Sequence, residues 1–112
     1  MLTDYQDYRT NRQMTDNTDE ILRAKVALET SKIAWRELQR FFAAGTAIAV
    51  VAGLDLVEVA MRISRDDKAQ VERWMRDGRV GQVSDEQARR WFDSDAMLWA
   101  VVVRPWVLVQ PA

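Results

Sequence analysis

The sequence predicts an α+β fold: one long N-terminal helix and three short helices packed on a small sheet of three or four strands with a C-terminal β-hairpin. Two observations carry this prediction. Apolar residues recur at intervals of three and four from Asp19 to Ala44, which is typical of a helix. The stretches Thr46–Ala52 and Leu98–Gln110 are instead rich in β-branched and aromatic residues, which is typical of buried strands.

Length and composition indicate a single domain. A chain of 112 residues buries roughly two thirds of its unfolded surface on folding, which is enough for one core. Residues 1–17 are polar and show no periodicity, so we expect a flexible tail before a domain that spans residues 18–112. Tyr5 and Tyr8 in this tail are expected to be solvated, with docking on a partner as the alternative.

The long helix has predicted signals at both ends. Asn17 and Glu20 have the spacing of a capping box, and Gly45 suits the left-handed conformation that closes a helix. Its small and apolar residues lie on one stripe: Ala24, Ala27, Leu28, Ser31, Ala34, Trp35, Leu38, Phe41 and Phe42.

Three short helices follow, and each begins with a side-chain acceptor placed three residues before a Glu or Gln, as in a capping box. These pairs are Asp55 with Glu58, Asp67 with Gln70, and Ser84 with Gln87. The second short helix is expected to end at Gly78, and the third to span residues 85 to about 93. Residues 79–83 between them fit either a short strand or an extended connector.

The last apolar run predicts two strands and a partner surface. Proline lacks the amide hydrogen that a sheet needs, so Arg104 and Pro105 are expected to form a hairpin corner, with a bent edge strand as the alternative. Both alternating residue sets of the first strand are apolar, so both of its faces should be covered. We expect four helices to leave part of this sheet for a hydrophobic homodimer surface, which would contain Trp99, Val101, Arg104, Trp106 and Leu108.

Three stretches of the chain resemble a family of small uncharacterised bacterial proteins, a domain of unknown function. They are AWRELQRFFAAG from Ala34, LDLVEVA from Leu54, and SDEQARRWF together with LWAVVVRPWVLVQ. The resemblance extends from about Leu22 to Gln110. It implies a compact single domain and supplies no activity, cofactor or catalytic residue.

The sequence contains no Cys and no His, which excludes disulfides, thiolate nucleophiles and the usual zinc sites. Acid–base catalysis would depend on carboxylates, Lys or Tyr, so we expect a non-catalytic protein without a cofactor. Asp55, Glu58, Asp66 and Asp67 could instead hold a divalent cation. Helix capping explains the same residues and is the preferred interpretation.

Arginine next to tryptophan recurs in the chain and is the strongest indication of nucleic-acid binding. The candidate residues are Arg73, Arg76, Arg89 and Arg90, with Arg104. The formal net charge of −1 and the interleaved Asp and Glu residues argue against a polyanion as partner.

The remaining expectations concern location and partners. The N-terminus lacks a basic start followed by an apolar stretch, and no apolar stretch reaches the ~20 residues of a membrane helix. We therefore expect a cytoplasmic binding module that acts as a homodimer or with a protein partner, and not with nucleic acid or a membrane.

Overall fold

The computed structural model describes residues 18–112, which form five helices and one five-stranded sheet and confirm the α+β class. In chain order the elements are α1 (18–29), β1 (Ser31–Ala34), α2 (Trp35–Ala43), β2 (Ala47–Val50), α3 (Leu56–Ser64), α4 (Lys68–Arg76), β3 (Val80–Gln82), α5 (Asp85–Asp93), β4 (Met97–Val103) and β5 (Trp106–Pro111). The predicted tail and the predicted cap at Asn17 lie outside the described residues. In the part of the chain that is described, no helix is long and apolar enough to cross a membrane.

The predicted long helix is wrong, because the chain leaves the helical conformation at Thr30. The Thr30 hydroxyl donates to the carbonyl of Val26 at 2.7 Å, and the next four residues form strand β1. Ser31 lies opposite Ala100 and Ala34 opposite Met97, so β1 is held by the edge of β4. The helical spacing of apolar residues is a local signal, and it is overridden here by ladder hydrogen bonds to a strand about 65 residues later in the chain.

The sheet has the strand order β1-β4-β5-β2-β3, so it contains five strands and not the three or four that were predicted. Strands β5 and β2 are parallel, and the other neighbours are antiparallel. The predicted hairpin is confirmed, since Val103 pairs with Trp106 across Arg104 and Pro105. Residues 79–83 contribute β3, so the strand alternative is the correct one for this stretch.

Helices cover both faces of the sheet. Along β5 the side chains alternate, so that Val107 and Val109 join one apolar cluster and Leu108 joins the other. The face that packs against α2 and α5 is here termed the back face, and the face that packs against α1, α3 and α4 is the front face. Each face buries its own cluster of apolar side chains, which makes the molecule a three-layer sandwich.

The back cluster is built around aromatic rings. Trp35 is 1% exposed and makes an edge contact with Trp91, with ring centroids 5.2 Å apart. Phe42 also packs against the indole of Trp35, with ring centroids 5.9 Å apart. The buried residues of the front cluster are almost all aliphatic: Val26, Val50, Leu56, Val59, Ala60, Met61, Trp74, Val80, Val101 and Leu108.

The N-cap residues predicted for the three short helices are present, and one of the three helices has the complete capping box that the spacing predicted. The Asp55 carboxylate accepts from the amides of Val57 and Glu58, and the Asp67 carboxylate accepts from the amide of Gln70. The third cap, at Ser84, is a complete capping box, since Gln87 also bonds back to the Ser84 amide at 3.0 Å.

Candidate functional site

An apolar cleft of about 530 Å³ opens on the front face between α4 and the sheet. Its floor is formed by Ile48 of β2 and Trp106 of β5. One wall is Ile63 of α3, and the other is formed by Val71 and Met75 of α4. A hollow of this size with apolar lining is typical of a binding site.

The cleft exists because α4 touches the sheet through only part of its apolar face. Trp74 turns inward and is buried in the front cluster. Val71 and Met75 lie four residues apart, one turn along the same side of the helix, and border the cleft. Trp106 and Ile48 are therefore left half-buried at a corner of the sheet that neither α3 nor α4 covers.

Charged side chains surround the opening. Asp66, Asp67 and Glu72 supply three carboxylates, and Lys68 supplies one ammonium group, so these four residues carry a net charge of −2. Lys68 lies 3.9 Å from the Asp66 carboxylate, and both side chains are largely exposed. The rim is thus negative and accessible to a cationic partner.

Asp67 is held in its ionised form. Its carboxylate accepts from Nη1 of Arg62 at 2.9 Å and from the amide of Gln70 at 3.3 Å. The hydrogen bond from Arg62, followed by that from the Gln70 amide, lowers the pKa of Asp67 below its usual value. Asp67 is therefore ionised at neutral pH, and its charge is paired with that of Arg62.

An ionic network connects this rim to α1. Glu58 accepts from Nε of Arg62 at 2.8 Å and from the guanidinium of Arg23 on α1. The hydrogen bond from Arg23, then that from Arg62, lowers the pKa of Glu58. Arg62 bridges Glu58 and Asp67, so the network links α1, α3 and the start of α4.

The four carboxylates considered for a cation do not form one cluster. Asp55 caps α3, Glu58 and Asp67 bind arginines, and Asp66 lies beside Lys68. Among residues 18–112, no group of three or more Asp and Glu side chains is placed to hold a metal ion. Asp55 and Asp67 accept hydrogen bonds from backbone amides at the starts of α3 and α4, as the capping interpretation predicted.

The structure corrects the predicted interaction surface at two positions. Val101 is 2% exposed and Leu108 is 0% exposed, because α1, α3 and α4 cover this part of the sheet. Neither side chain can contribute contact area to a partner of this folded domain.

The other three predicted surface residues lie in separate hollows. Trp99 lies beside the end of α1, with Nζ of Lys32 5.1 Å from its ring centroid. Arg104 borders a hollow between α1 and α3, whereas Trp106 belongs to the floor of the cleft. These three side chains therefore border three different hollows.

The candidate nucleic-acid residues are divided between the two sides of the molecule. Arg73 and Arg76 belong to α4 on the front face, and Arg89 and Arg90 belong to α5 on the back face. Arg104 lies at the hairpin. The two arginine pairs therefore belong to helices on opposite faces of the sheet.

Most residues that line the cleft were not predicted as a site, although Trp106 was assigned to the interaction surface and Asp66 and Asp67 to the alternative cation site. Val71, Trp74 and Met75 are the apolar residues of α4, and of these Trp74 is buried whereas Met75 is 55% exposed. One feature of the sequence does point to the cleft. Val71 and Met75 give α4 a wider apolar side than the burial of Trp74 alone requires. Ile48 and Trp106, however, are brought to this place only by the pairing of β2 with β5.

Comparisons with known proteins support the fold. The model of the family DUF2288, described as a protein of unknown function, matches residues 21–111. Among solved structures, the chain is similar to the NMR solution structure of PA1075 from Pseudomonas aeruginosa, at 45% identity and a TM-score of 0.73. The match covers 81% of this chain and 84% of that chain. No curated protein matches the sequence.

Proposed function

The chain belongs to the DUF2288 family of proteins of unknown function, and we propose from its own geometry that it is a non-catalytic binding module that holds a polypeptide partner in the cleft under α4. The observation that carries this proposal is the combination of an apolar floor and an acidic rim in one hollow. The proposal keeps the cytoplasmic location that was expected from the sequence.

The lining favours apolar side chains of a partner. Trp106 and Ile48 form a floor that water contacts in the free protein, so covering it removes apolar surface from water. Met75 adds a flexible, polarisable side chain that adapts to more than one occupant. The cleft also borders all three residues of β3, which is an edge strand of the sheet. An extended peptide can pair with an edge strand, so this position suits a peptide partner.

The rim favours a partner that carries positive charge beside its apolar residues. The net charge of −2 on Asp66, Asp67, Glu72 and Lys68 attracts Lys or Arg and repels acidic segments. We therefore assign the cleft to a polypeptide segment that combines aromatic or aliphatic residues with at least one Arg or Lys. An acidic nucleic-acid backbone does not suit this rim.

The test is selection of binders from a random peptide library displayed on phage, with the full chain as bait. We expect the enriched peptides to combine apolar residues with Arg or Lys, and Met75→Asp to weaken their binding at least tenfold. Phe92→Asp is the matched control, because Phe92 is 52% exposed on α5 of the back face, close to the 55% of Met75. Enrichment of acidic peptides, or equal loss in both variants, would overturn the proposal.

The predicted homodimer remains a separate prediction. Sedimentation velocity of the full chain at rising concentration tests it directly. A dimer that persists in Met75→Asp would place self-association outside the cleft, while a monomer at high micromolar concentration would contradict the homodimer.

A further inference from the structure

We propose that the cleft is occupied, in the free protein, by the chain's own residues 8–14, the stretch YRTNRQM. This inference rests on the proposed function, since it assigns an occupant to the same cleft. Its consequence is regulation, because an external partner must displace this segment before it can bind.

The described chain begins beside residues that adjoin the cleft. Asp19, at the start of α1, forms an ion pair with Nη2 of Arg65 at 2.5 Å. Arg65 directly precedes Asp66, which lines the cleft. Leu22, one turn further along α1, borders the same hollow as Ile63, the cleft wall on α3. The described part of the chain therefore begins close to the cleft.

Residues 8–14 are close enough in sequence to α1 to extend to the cleft. Met14 precedes Asp19 by five residues, which span about 17 Å when extended, at roughly 3.4 Å per residue. Tyr8 precedes Asp19 by eleven residues and reaches about 37 Å by the same measure. Both side chains can enter a cleft that begins one residue beyond Arg65. A tether of this length also gives an effective concentration on the order of millimolar, so a weak contact is enough.

The side chains of residues 8–14 match the apolar floor and the charged rim of the cleft. Residues 8–14 contain an aromatic and a thioether side chain at their two ends, with Arg9 and Arg12 between them and no acidic residue. Tyr8 and Met14 suit the apolar floor, and the two arginines complement the net charge of −2 on the rim. The acidic residues of the first 17 positions, Asp4, Asp7 and Asp16, all lie outside this stretch.

The test places a spin label on the full chain and asks which amides it broadens. The chain contains no cysteine, so Gln6→Cys gives one site for a nitroxide label just before Tyr8. We expect strong broadening of the amide signals of Lys68, Val71 and Gly81. The amides of Arg89 and Arg90 on α5, behind the sheet, should keep their intensity. Uniform broadening over both faces, or none at the cleft, would overturn the inference.

A mixed sample identifies the source of the segment. Labelled chain without ¹⁵N is combined with ¹⁵N chain that carries no label. Unchanged cleft signals in this sample support docking within one chain. Broadening of Lys68, Val71 and Gly81 in the mixture would mean that the segment comes from a second copy, which contradicts docking within one chain.

A variant pair connects the segment to binding. Tyr8→Ser combined with Met14→Ser should abolish the selective broadening and raise affinity for the library peptides about tenfold, the change expected if the segment fills the cleft about 90% of the time. Tyr5→Ser is the control and should change neither result. If the peptides bind the cleft but the double variant binds them no better, the inference fails while the proposed function stands. If Met75→Asp leaves peptide binding intact, the proposed function itself fails.

Discussion

The two faces of the sheet are closed in different ways. On the back face, Trp35, Trp91 and Phe42 meet ring against ring and fill the space between α2, α5 and the strands. On the front face, aliphatic side chains cover most of the sheet, and α1 is tied to α3 partly by the ion pair between Arg23 and Glu58. The comparison shows that the contacts between aromatic rings lie on the back face, whereas the cleft beside α4 lies on the front face.

Because of this difference, we expect the back face to contribute mainly to stability and the cleft on the front face to contribute mainly to binding. Side chains that interlock fully leave nothing for a partner to cover, and their loss opens a cavity. Side chains such as Trp106 and Ile48, which remain half-buried, contribute less to folding and stay available for contact. We therefore expect substitutions on the back face to act on the free energy of unfolding, and substitutions around the cleft to act mainly on binding.

The largest expected effect comes from two tryptophans, one on each face. Trp35→Ala should lower the free energy of unfolding by about 3–5 kcal/mol, because it empties a fully buried site. Trp106→Ala should cost about 1–2 kcal/mol, because its side chain is only half-buried, and it should weaken peptide binding to the cleft. Urea denaturation followed by circular dichroism measures both values. Equal costs would break the distinction between the two faces.

A smaller effect is expected from the helix caps, which should not distinguish the faces. Ser84→Ala on the back face and Asp55→Ala on the front face each remove a side-chain acceptor from the first turn of a helix. Each should cost about 1 kcal/mol in the same urea assay. Ser84→Thr serves as the control that keeps the hydroxyl. A cost above about 3 kcal/mol at either position would show that the cap also supports the packing of its face.

The smallest effect concerns the ionic network of the front face. Glu58→Gln should cost less than about 1 kcal/mol at neutral pH, because the pairs with Arg23 and Arg62 are partly solvated. The folded-state pKa of Glu58 lies below its ordinary value of 4.5, and that of Asp67 below 3.8. The unfolded chain therefore binds more protons in this range, so the contribution of the network is complete above about pH 5 and falls as the pH drops through the lowered values.

The measurement for the network is the urea midpoint between pH 7 and pH 3. The Glu58→Gln variant should lose less stability on acidification than the parent chain does. Glu86→Gln, on α5 of the back face, is the control and should follow the parent curve. If the Glu58→Gln curve runs parallel to that of the parent chain, the ionic network does not contribute to the pH dependence of stability.

Some parts of the fold followed from short sequence signals. Asp55, Asp67 and Ser84 cap helices as their spacing predicts, because a cap involves only the next two or three residues. The hairpin was also predictable from neighbouring residues, because its turn consists of Arg104 and Pro105 between two apolar runs. Strand β1 was not, since residues 31–34 continue a helical pattern and become a strand only where β4 offers them an edge.

The candidate site was less predictable than the fold. Trp106 was singled out from the sequence as a surface residue, and it does line the cleft. Val101 and Leu108 were assigned to the same surface, because alternation along a strand shows which residues share a face but not whether a helix covers them. The covering helices α1 and α3 come from distant parts of the chain, so no local pattern could report their position.

The sequence by itself determined the α+β class, the three capped helices, the hairpin and a chemistry without cysteine or histidine, because each of these depends on residue identity or on spacing within one turn. Only the tertiary structure decided that residues 31–34 form a strand, that the arginines are divided between two faces, and that Ile48, Ile63, Val71, Met75 and Trp106 surround one cleft. These outcomes depend on which distant segments pack together. Which segments pack together depends on side-chain burial and strand pairing summed over the whole chain, so it cannot be predicted from any short stretch of sequence.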